Sequence, residues 1–248
     1  MMATDLTYRW HSAKTIDHFS ELDGTVRFYS FVHAILRSRQ AKAVLDFGAG
    51  RGEFWHDDVS VYRRHLRDLR ADGAVVTACD VDPVVQTHPC SDHQVTIQPG
   101  EPLPFASGAF DVIVSDNTFE HIASPAPLAR ELLRVLKPGG FICARTTNQH
   151  GYVRLLSGLV PNRLHAKVLD RAQKGRKEED VFPTVYKLNS PRQVARYFEN
   201  CEISHFYDSA EPAYFFGSGF LYGAFTLLHK LQPARLSTTL CVFIRKLG

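Results

Sequence analysis

The chain has 248 residues, of which 44% are hydrophobic and 22% charged, and its formal net charge is +3. This length and composition predict one soluble globular domain with a full core, because two independent domains would be cramped. A net charge of +3 is too small for capture of nucleic acid by the protein as a whole, so no nucleic-acid partner is expected.

The five cysteines are scattered and include no C-x-x-C pair. This pattern favours free thiols in a reducing cytoplasm over a disulfide framework or a cysteine zinc site. The first residues lack the layout of a signal peptide, and glycines and a serine interrupt the longest apolar stretch, 214–228. We therefore expect a cytoplasmic protein without a transmembrane segment.

Short apolar runs alternate with segments of helical period along the chain. Several runs are continuously apolar, which is typical of strands buried on both faces. The predicted strands are AVLDF (43–47), VVTACD (75–80), QVTIQ (94–98), FDVIVSD (110–116), FICARTT (141–147), CEISHFY (201–207) and LCVFIRK (240–246). Helical segments between the strands predict parallel pairing with right-handed crossovers, hence an α/β fold with a doubly wound, mostly parallel seven-stranded sheet.

Helical spacing predicts the elements that connect and cover these strands. One long helical segment is expected from His56 to Asp72, and another covers 126–137 before Pro138 and two glycines. A capped helix is expected from Ser190. The first 40 residues are predicted to form helices outside the sheet.

The stretch VLDFGAGRGEF (44–54) joins the first strand to the next helix through three glycines. Ligands of such sheets lie beyond the carboxyl ends of the strands, which here carry Asp46, Asp80 and Asp116. These carboxylates, with Glu53 at the helix start, repel a pyrophosphate. The pattern G-x-G-x-G also differs from the dinucleotide fingerprint and lacks the Lys-Ser/Thr of a phosphate loop. It predicts a cationic or hydroxyl-rich ligand, with a ligand-free tight turn as the alternative.

Asp80 closes the second strand, where a carboxylate can accept both hydroxyls of a ribose. Four ordered segments between residues 44 and 141 then resemble the class I S-adenosylmethionine-dependent methyltransferases of the broad bacterial type: LDFGAGRGEF, ACDVDP, EPLPFASGAFDVIVSDNTFEHI and LLRVLKPGGF. The resemblance implies a Rossmann-like fold and methyltransferase activity. It also implies S-adenosylmethionine, a cofactor with a sulfonium, an ammonium, a ribose and an adenine but no phosphate.

The resemblance implies cofactor-binding residues at the ends of the first and fourth strands. The residues expected under the aminocarboxypropyl chain of the cofactor are Gly48, Ala49 and Gly50. Those expected near its amine and sulfonium are Asp46, Asp116 and Asn117. Asp46 thus belongs to a negative lining that suits a cation.

The adenine is expected against Val81 and the stretch that contains Glu101 and Leu103. Many relatives have an acidic residue just before this stretch, where Pro99 stands here. Glu101, Gln98 or a backbone carbonyl must then meet the adenine amine.

His121 and His150 are the predicted catalytic bases, and His121 is favoured because it follows the fourth strand by one helical turn. A histidine on a helix surface or packed against the cofactor is the alternative. Asp80 and Asp82 form a D-x-D, which is typical of metal-dependent sugar transferases, so that activity stays open. A non-catalytic cofactor-binding module is a third hypothesis. No metal site is predicted.

The single domain, 1–248, is expected to divide into a helical cap (1–40), a cofactor-binding half (41–147), an insertion (148–190) and a part that completes the sheet (191–248). The insertion is too long for a plain connection and predicts an acceptor lid. Its predicted substrate-binding residues are Asn148, Tyr152, Tyr186 and Asn189. These groups suit O-methylation of a glycan, a sugar intermediate or a small hydroxylated metabolite, although they also suit bonding to the loop backbone.

Two further segments bear on partners. The run 163–177 places several cations at helical spacing, which predicts an anionic acceptor or, alternatively, a solvated face. In FLYGAFTLLHKLQP (220–233), helical spacing is followed by Phe220, Ala224, Leu227 and Leu231, with Phe225 and Leu228 beside them. This helix is predicted to pack on the sheet or the insertion, and a dimer contact or a peripheral membrane contact is the alternative. The oligomeric state is left open.

Overall fold

The computed structural model describes residues 6–152, 184–212, 215 and 217–248. It contains a seven-stranded sheet in the order β3-β2-β1-β4-β5-β7-β6. The strands are β1 (Ala43–Phe47), β2 (Val75–Asp80), β3 (His93–Thr96), β4 (Phe110–Asp116), β5 (Leu136–Thr147), β6 (Cys201–Asp208) and β7 (Thr239–Lys246). The first five strands pair in parallel, whereas β7 is antiparallel to β5 and β6. The predicted mostly parallel, seven-stranded Rossmann-like sheet is confirmed.

Helices lie on both sides of this sheet. They are α1 (Thr7–Trp10), α2 (Lys14–Asp17), α3 (Gly24–Arg39), α4 (Phe54–Asp57), α5 (Val61–Arg67), α6 (Pro125–Val135), α7 (Pro191–Tyr197) and α8 (Gly219–Leu231). The Ser190 side chain accepts the Gln193 N–H and caps α7, as expected for a capped helix. In the described residues, no helix is both long and apolar enough to cross a membrane.

Successive residues of the central strands fill opposite faces of the sheet. Leu45 and Ile113 pack with Leu132 of α6 on one face. Val44 packs with Phe28 of α3 on the other face. Because both faces are covered, the strands are continuously apolar, which is the pattern that predicted them.

The prediction of one long helix from His56 to Asp72 is wrong. Three separate pieces occupy this segment: α4, α5 and a 3-10 helix over Leu69–Asp72. The break after α5 occurs because Asp68 takes an extended conformation and its side chain accepts the Arg70 N–H.

The N-terminal helices are tied to the edge of the sheet by polar contacts. Asp17, at the end of α2, accepts hydrogen bonds from the Ser60 hydroxyl at 2.8 Å and from the Tyr62 N–H at 2.7 Å. Asp23 caps α3 by accepting the Val26 N–H. The Thr25 hydroxyl of α3 accepts from Arg145 Nη1 at 2.9 Å and the Tyr29 hydroxyl donates to Asp116, so α3 lies against the carboxyl ends of β4 and β5, where ligands of this fold bind.

Helix α8 packs only in part as predicted. Tyr222 and Thr226 are its buried side chains, and Phe225 stacks on Tyr152 of the insertion. Phe220, Leu227 and Leu231 are 83%, 56% and 74% exposed, so this part of the apolar stripe does not pack inward. The basic run 163–177 and most of the predicted acceptor lid lie outside the described residues.

Candidate active site

The strand ends bring three acidic side chains to one crevice, at the point between β1 and β4 where the strand order reverses. Asp46 lies one residue before the end of β1, and its side chain is 17% exposed. Burial, together with the Asp116 and Asp80 carboxylates, raises the pKa of Asp46 to about 7, although Arg67 acts in the opposite direction. Asp46 therefore titrates far closer to neutral pH than an ordinary aspartate does. A cation beside it would favour the carboxylate.

Asp116, the last residue of β4, is already paired with protein groups. Arg145 Nε and Nη2 lie 2.6 and 2.7 Å from its two oxygens, and the Tyr29 hydroxyl donates to Oδ2 at 3.2 Å. Burial opposes ionisation, but Arg145 and Arg67 outweigh it and hold the pKa of Asp116 below its ordinary value. Asp46 is thus countered by cations much less than Asp116 is.

The three glycines of the loop after β1 have different surroundings. The N–H groups of Gly48 and Ala49 both donate to the Cys79 carbonyl, at 2.8 and 3.2 Å. A Cβ on Gly48 (φ +75°) would lie 2.2 Å from Thr118 Oγ1, whereas one on Gly50 (φ +59°) would meet no atom within 4 Å. Packing within the protein therefore requires Gly48, and Gly50 is where the loop leaves space for a ligand.

The third glycine covers a buried histidine. A Cβ on Gly52 would lie 2.7 Å from His88 Cδ2, and His88 Nε2 is 4.0 Å from Asp46 Oδ2. Burial, reinforced by Arg70 and Arg67, lowers the pKa of His88 to about 4. His88 is therefore neutral and does not supply a countercharge to Asp46.

Asp80, at the end of β2, holds the neighbouring loops together. Its Oδ2 accepts the Gly50 N–H at 2.9 Å and its Oδ1 accepts the Asp82 N–H at 2.9 Å. Each carboxylate oxygen has a second lone pair, so the pair can still accept two hydroxyl donors. Asp82 Oδ1 accepts the Val84 N–H, so both members of the D-x-D bind backbone. The described residues contain no group of three side chains suited to a metal ion.

The predicted adenine residues have unequal exposure. Val81 follows β2 and is 39% exposed. Glu101 is exposed in a turn closed by its N–H and the Gln98 carbonyl. Leu103 is buried in the main core cluster, and its N–H donates to Glu131 Oε2 at 2.8 Å. Val81 and Glu101 are therefore open to a ligand, whereas Leu103 supports the stretch from within.

The two predicted bases lie in different places. His121 ends a 3-10 helix over Phe119–His121, directly after β4, and is half-buried. His150 is exposed beyond the end of β5, where its Nε2 lies 2.9 Å from Gln149 Nε2. Of the two, only His121 follows the strand that carries Asp116.

Two of the predicted acceptor residues are fully buried. Asn148 Nδ2 donates to the Ser237 carbonyl at 2.7 Å, and Asn189 Nδ2 donates to the Thr147 carbonyl at 2.7 Å. These amides join the end of β5 to the segments before β7 and α7. Both side chains therefore hydrogen-bond to backbone carbonyls, which is the alternative that the sequence left open for them.

The other two acceptor residues contact protein groups as well. The Tyr152 hydroxyl lies 3.0 Å from His229 Nε2, and its ring stacks on Phe225 with centroids 5.4 Å apart. Tyr186 has φ +51°, and its N–H donates to the Glu120 carbonyl at 3.2 Å. That these four residues bind an acceptor remains a prediction.

A cavity of about 520 Å³ lies between the N-terminal helices and the edge of the sheet. Its walls include Tyr8, Lys14, His18, Asn117, Arg145 and Glu211. Because Asn117 directly follows Asp116, the cavity adjoins the crevice at the strand ends. The wall formed by Tyr8 and His18 was not predictable from the sequence, because the short helices α1 and α2 carry no motif.

Comparison with known proteins agrees with this geometry. Residues 45–144 match the family model of a methyltransferase domain. The sequence is 51% identical over 41 residues to an uncharacterized methyltransferase of Mycolicibacterium gilvum (strain PYR-GCK), a match that covers 16% of each chain. It is 32% identical over 109 residues to one from Mycobacterium avium (strain 104), covering 42% of this chain and 38% of that protein.

These matches span 16% to 38% of the two relatives' own lengths. A crystal structure of S-adenosylmethionine-dependent methyltransferases from Methanosarcina mazei is similar over a longer range. It aligns with a TM-score of 0.54 at 16% identity and covers 88% of this chain and 97% of that one. At this identity the likeness concerns the fold.

Proposed function

We propose that this chain, whose residues 45–144 form a domain of the class I S-adenosylmethionine-dependent methyltransferase family, transfers a methyl group to a hydroxyl oxygen of a polar acceptor. The observation that carries the proposal is the Asp46 crevice. Its carboxyl has a pKa raised to about 7, and the neighbouring Asp80 carboxylate accepts the N–H of the open Gly50 at 2.9 Å. Such a site favours a ligand cation and disfavours a pyrophosphate.

In this proposal each strand end holds a different part of the cofactor. Asp46 faces the sulfonium and ammonium end, with Gly50 beneath the aminocarboxypropyl chain. Asp80 accepts the ribose hydroxyls with the lone pairs that Gly50 and Asp82 do not use. Val81 and Glu101 flank the adenine.

Bound S-adenosylmethionine would supply an electrophilic methyl group activated by the positive sulfur. The protein's own residues then bring the acceptor oxygen into line with that methyl, about 3 Å away. Asn117 lies at this junction, since it follows Asp116 and also lines the cavity. Arg145 holds Asp116 in place through its two hydrogen bonds. In this proposal, positioning of the acceptor oxygen supplies most of the rate enhancement.

A glycan, a sugar intermediate or a small hydroxylated metabolite is the proposed acceptor class. The test incubates the full chain with methyl-labelled S-adenosylmethionine and fractionated polar metabolites or surface glycans. We expect label in a product that retains it through mild alkali, as an ether does. Cofactor binding without transfer to any fraction would instead support a non-catalytic binding module.

The sugar-transferase alternative is separated by thermal shift. We expect S-adenosylmethionine to raise the melting temperature, because a ligand that binds only the folded state stabilises it. Manganese with a nucleotide sugar should leave the melting temperature unchanged. The opposite pattern would favour the D-x-D activity.

A further inference from the structure

We propose that the cavity behind Asn117 takes the methyl acceptor as an uncharged, hydroxyl-bearing molecule, and that His18 removes the proton of its hydroxyl. This inference rests on the proposed methyl transfer. The cavity volume, about 520 Å³, lies within the usual range for small-molecule sites. An acceptor in this cavity would lie under the N-terminal helices, and the predicted lid residues Asn148, Tyr152, Tyr186 and Asn189 are not among the residues that line it.

The charges that line this cavity are matched by opposite charges. Lys14 Nζ lies 2.5 Å from Glu211 Oε2, and Arg145 is held by Asp116. Arg63 likewise pairs with Asp23 at 2.7 Å. A charged acceptor would have to separate one of these pairs, and removing a partner from a buried pair is strongly unfavourable. A neutral molecule leaves all three pairs intact.

His18 lines this cavity, and its imidazole is oriented by a hydrogen bond. Its backbone is left-handed, with φ +61°, which is uncommon outside glycine and asparagine. Its Nδ1 forms a hydrogen bond with the Tyr8 hydroxyl. When Nδ1–H donates to the Tyr8 oxygen, Nε2 keeps its lone pair and can accept a proton.

Proton removal and methyl transfer then take place at the acceptor hydroxyl. The O–H bond breaks and its proton goes to His18 Nε2, while the oxygen forms a bond to the methyl carbon. The bond between that carbon and the sulfur breaks, and its electron pair stays on sulfur as a neutral thioether. Tyr8 fixes the imidazole tautomer and is a positioning residue.

The acceptor test uses a panel of neutral mono- and disaccharides with their uronic acid and amino sugar counterparts, and labelled S-adenosylmethionine. Methylation of neutral members in preference to charged ones supports the proposal. Methylation only of charged members, or of no neutral member while the cofactor binds, overturns it. Failure of the cofactor to bind would instead overturn the proposed function.

The base is tested with His18→Asn, since asparagine tolerates the left-handed backbone. We expect a fall in kcat of about a hundredfold and unchanged cofactor affinity. Tyr8→Phe should lower kcat less. His93→Asn, at an exposed position of β3, serves as the matched control.

Saturation with the best neutral sugar should also shift the His18 imidazole NMR signals of the parent. That readout does not depend on turnover. Equal kcat in His18→Asn and the parent, or sugar binding that leaves those signals unmoved, contradicts the assignment.

A separate observation, the outward face of α8, leads to a second proposal. We infer that α8 and Trp10 dock on an anionic lipid surface. Phe220, Leu227 and Leu231 form the apolar stripe, and Trp10, which is 50% exposed, lies against this helix at Gly223. Exposed aromatic and aliphatic side chains in one helical row are typical of helices that lie in a membrane interface.

The charge around this stripe favours an anionic surface. The chain has no Asp or Glu between Pro212 and Gly248. Lys230 and Arg235 are exposed beside the stripe, where the exposed Glu21 carboxylate offsets part of the charge of Lys230 and leaves the charge of Arg235. In a symmetric dimer the same patch would face itself, which would bring these cations of both copies together. An anionic bilayer instead attracts them.

The test is flotation of the full chain with vesicles of phosphatidylcholine alone or with phosphatidylglycerol. We expect binding to the anionic vesicles, weakened by salt, and at least a tenfold loss of binding for Phe220→Ser with Leu231→Gln. Val75→Gln, which changes an exposed residue on β2, is the matched control. Absence of flotation with anionic vesicles, or a dimer in light scattering that the double substitution dissociates, overturns the proposal.

Discussion

Replacing Asp46 by asparagine should stabilise the protein without cofactor and weaken cofactor binding. The carboxyl is buried near Asp116, and its neighbour His88 is neutral, so ionisation in the folded state is unfavourable. Asparagine has nearly the same shape and carries no charge. The substitution therefore isolates the electrostatic contribution of one side chain.

The magnitude follows from the shift of the pKa from 3.8 to about 7. Because the folded-state value is the higher one, the folded state binds more protons than the unfolded state between these values, and stability falls as pH rises through that window. Above pH 7 the full penalty is present, with an upper bound of about 4 kcal/mol. About 2 to 3 kcal/mol of it should develop between pH 5 and pH 8.

The assay is thermal unfolding of the parent and Asp46→Asn at pH 5 and pH 8. The variant should gain more stability at pH 8, where each kcal/mol corresponds to about 2 to 4 °C in melting temperature for a chain of this size. Asp57→Asn, an exposed residue of α4, controls for loss of a negative charge. If Asp46→Asn has the same effect at both pH values, the proposed ionisation of Asp46 is wrong.

Four further substitutions test neighbouring parts of the site. Asp80→Asn keeps one acceptor oxygen and should weaken S-adenosylmethionine by about 1.5 to 3 kcal/mol in calorimetry, whereas unchanged affinity in a folded variant would remove the ribose assignment. Gly48→Ala should destabilise the fold by about 2 to 5 kcal/mol in denaturant titration because its Cβ would meet Thr118, and Gly50→Ala should destabilise it less while impairing cofactor binding; equal destabilisation would contradict this contrast. Asn148→Ala should lower the free energy of unfolding by about 2 to 3 kcal/mol and leave cofactor affinity unchanged, and a stable variant with a changed acceptor KM would instead favour its predicted acceptor role.

The strands were predictable because their cause is local. A strand covered on both faces must be apolar throughout, and runs such as AVLDF and FDVIVSD show this directly. The meeting of Asp46 and Asp116 was also predictable, since parallel strands end at one edge. The ion pair between Arg145 and Asp116 could not be predicted. It depends on the register that pairs these two residues on the neighbouring strands β4 and β5.

The orientation of α8 shows a different limit. Periodicity identifies the stripe of Phe220, Leu227 and Leu231, but it does not say whether that stripe faces the core. Inward packing was the prediction, and the buried positions are Tyr222 and Thr226 instead. The cavity beneath the N-terminal helices was missed for a similar reason, since it arises from how distant segments meet.

Whether the crevice of Asp46 and Asp80 binds S-adenosylmethionine is tested most directly by calorimetry. The full chain is titrated at pH 7 with S-adenosylmethionine and, separately, with NAD⁺. A site built on Asp46 and Asp80 should bind the cationic cofactor and release a fraction of a proton, seen as a dependence of the heat on buffer ionisation enthalpy. NAD⁺, with its pyrophosphate, should give no binding heat. Tighter binding of NAD⁺ than of S-adenosylmethionine, or no binding of S-adenosylmethionine, would contradict the account.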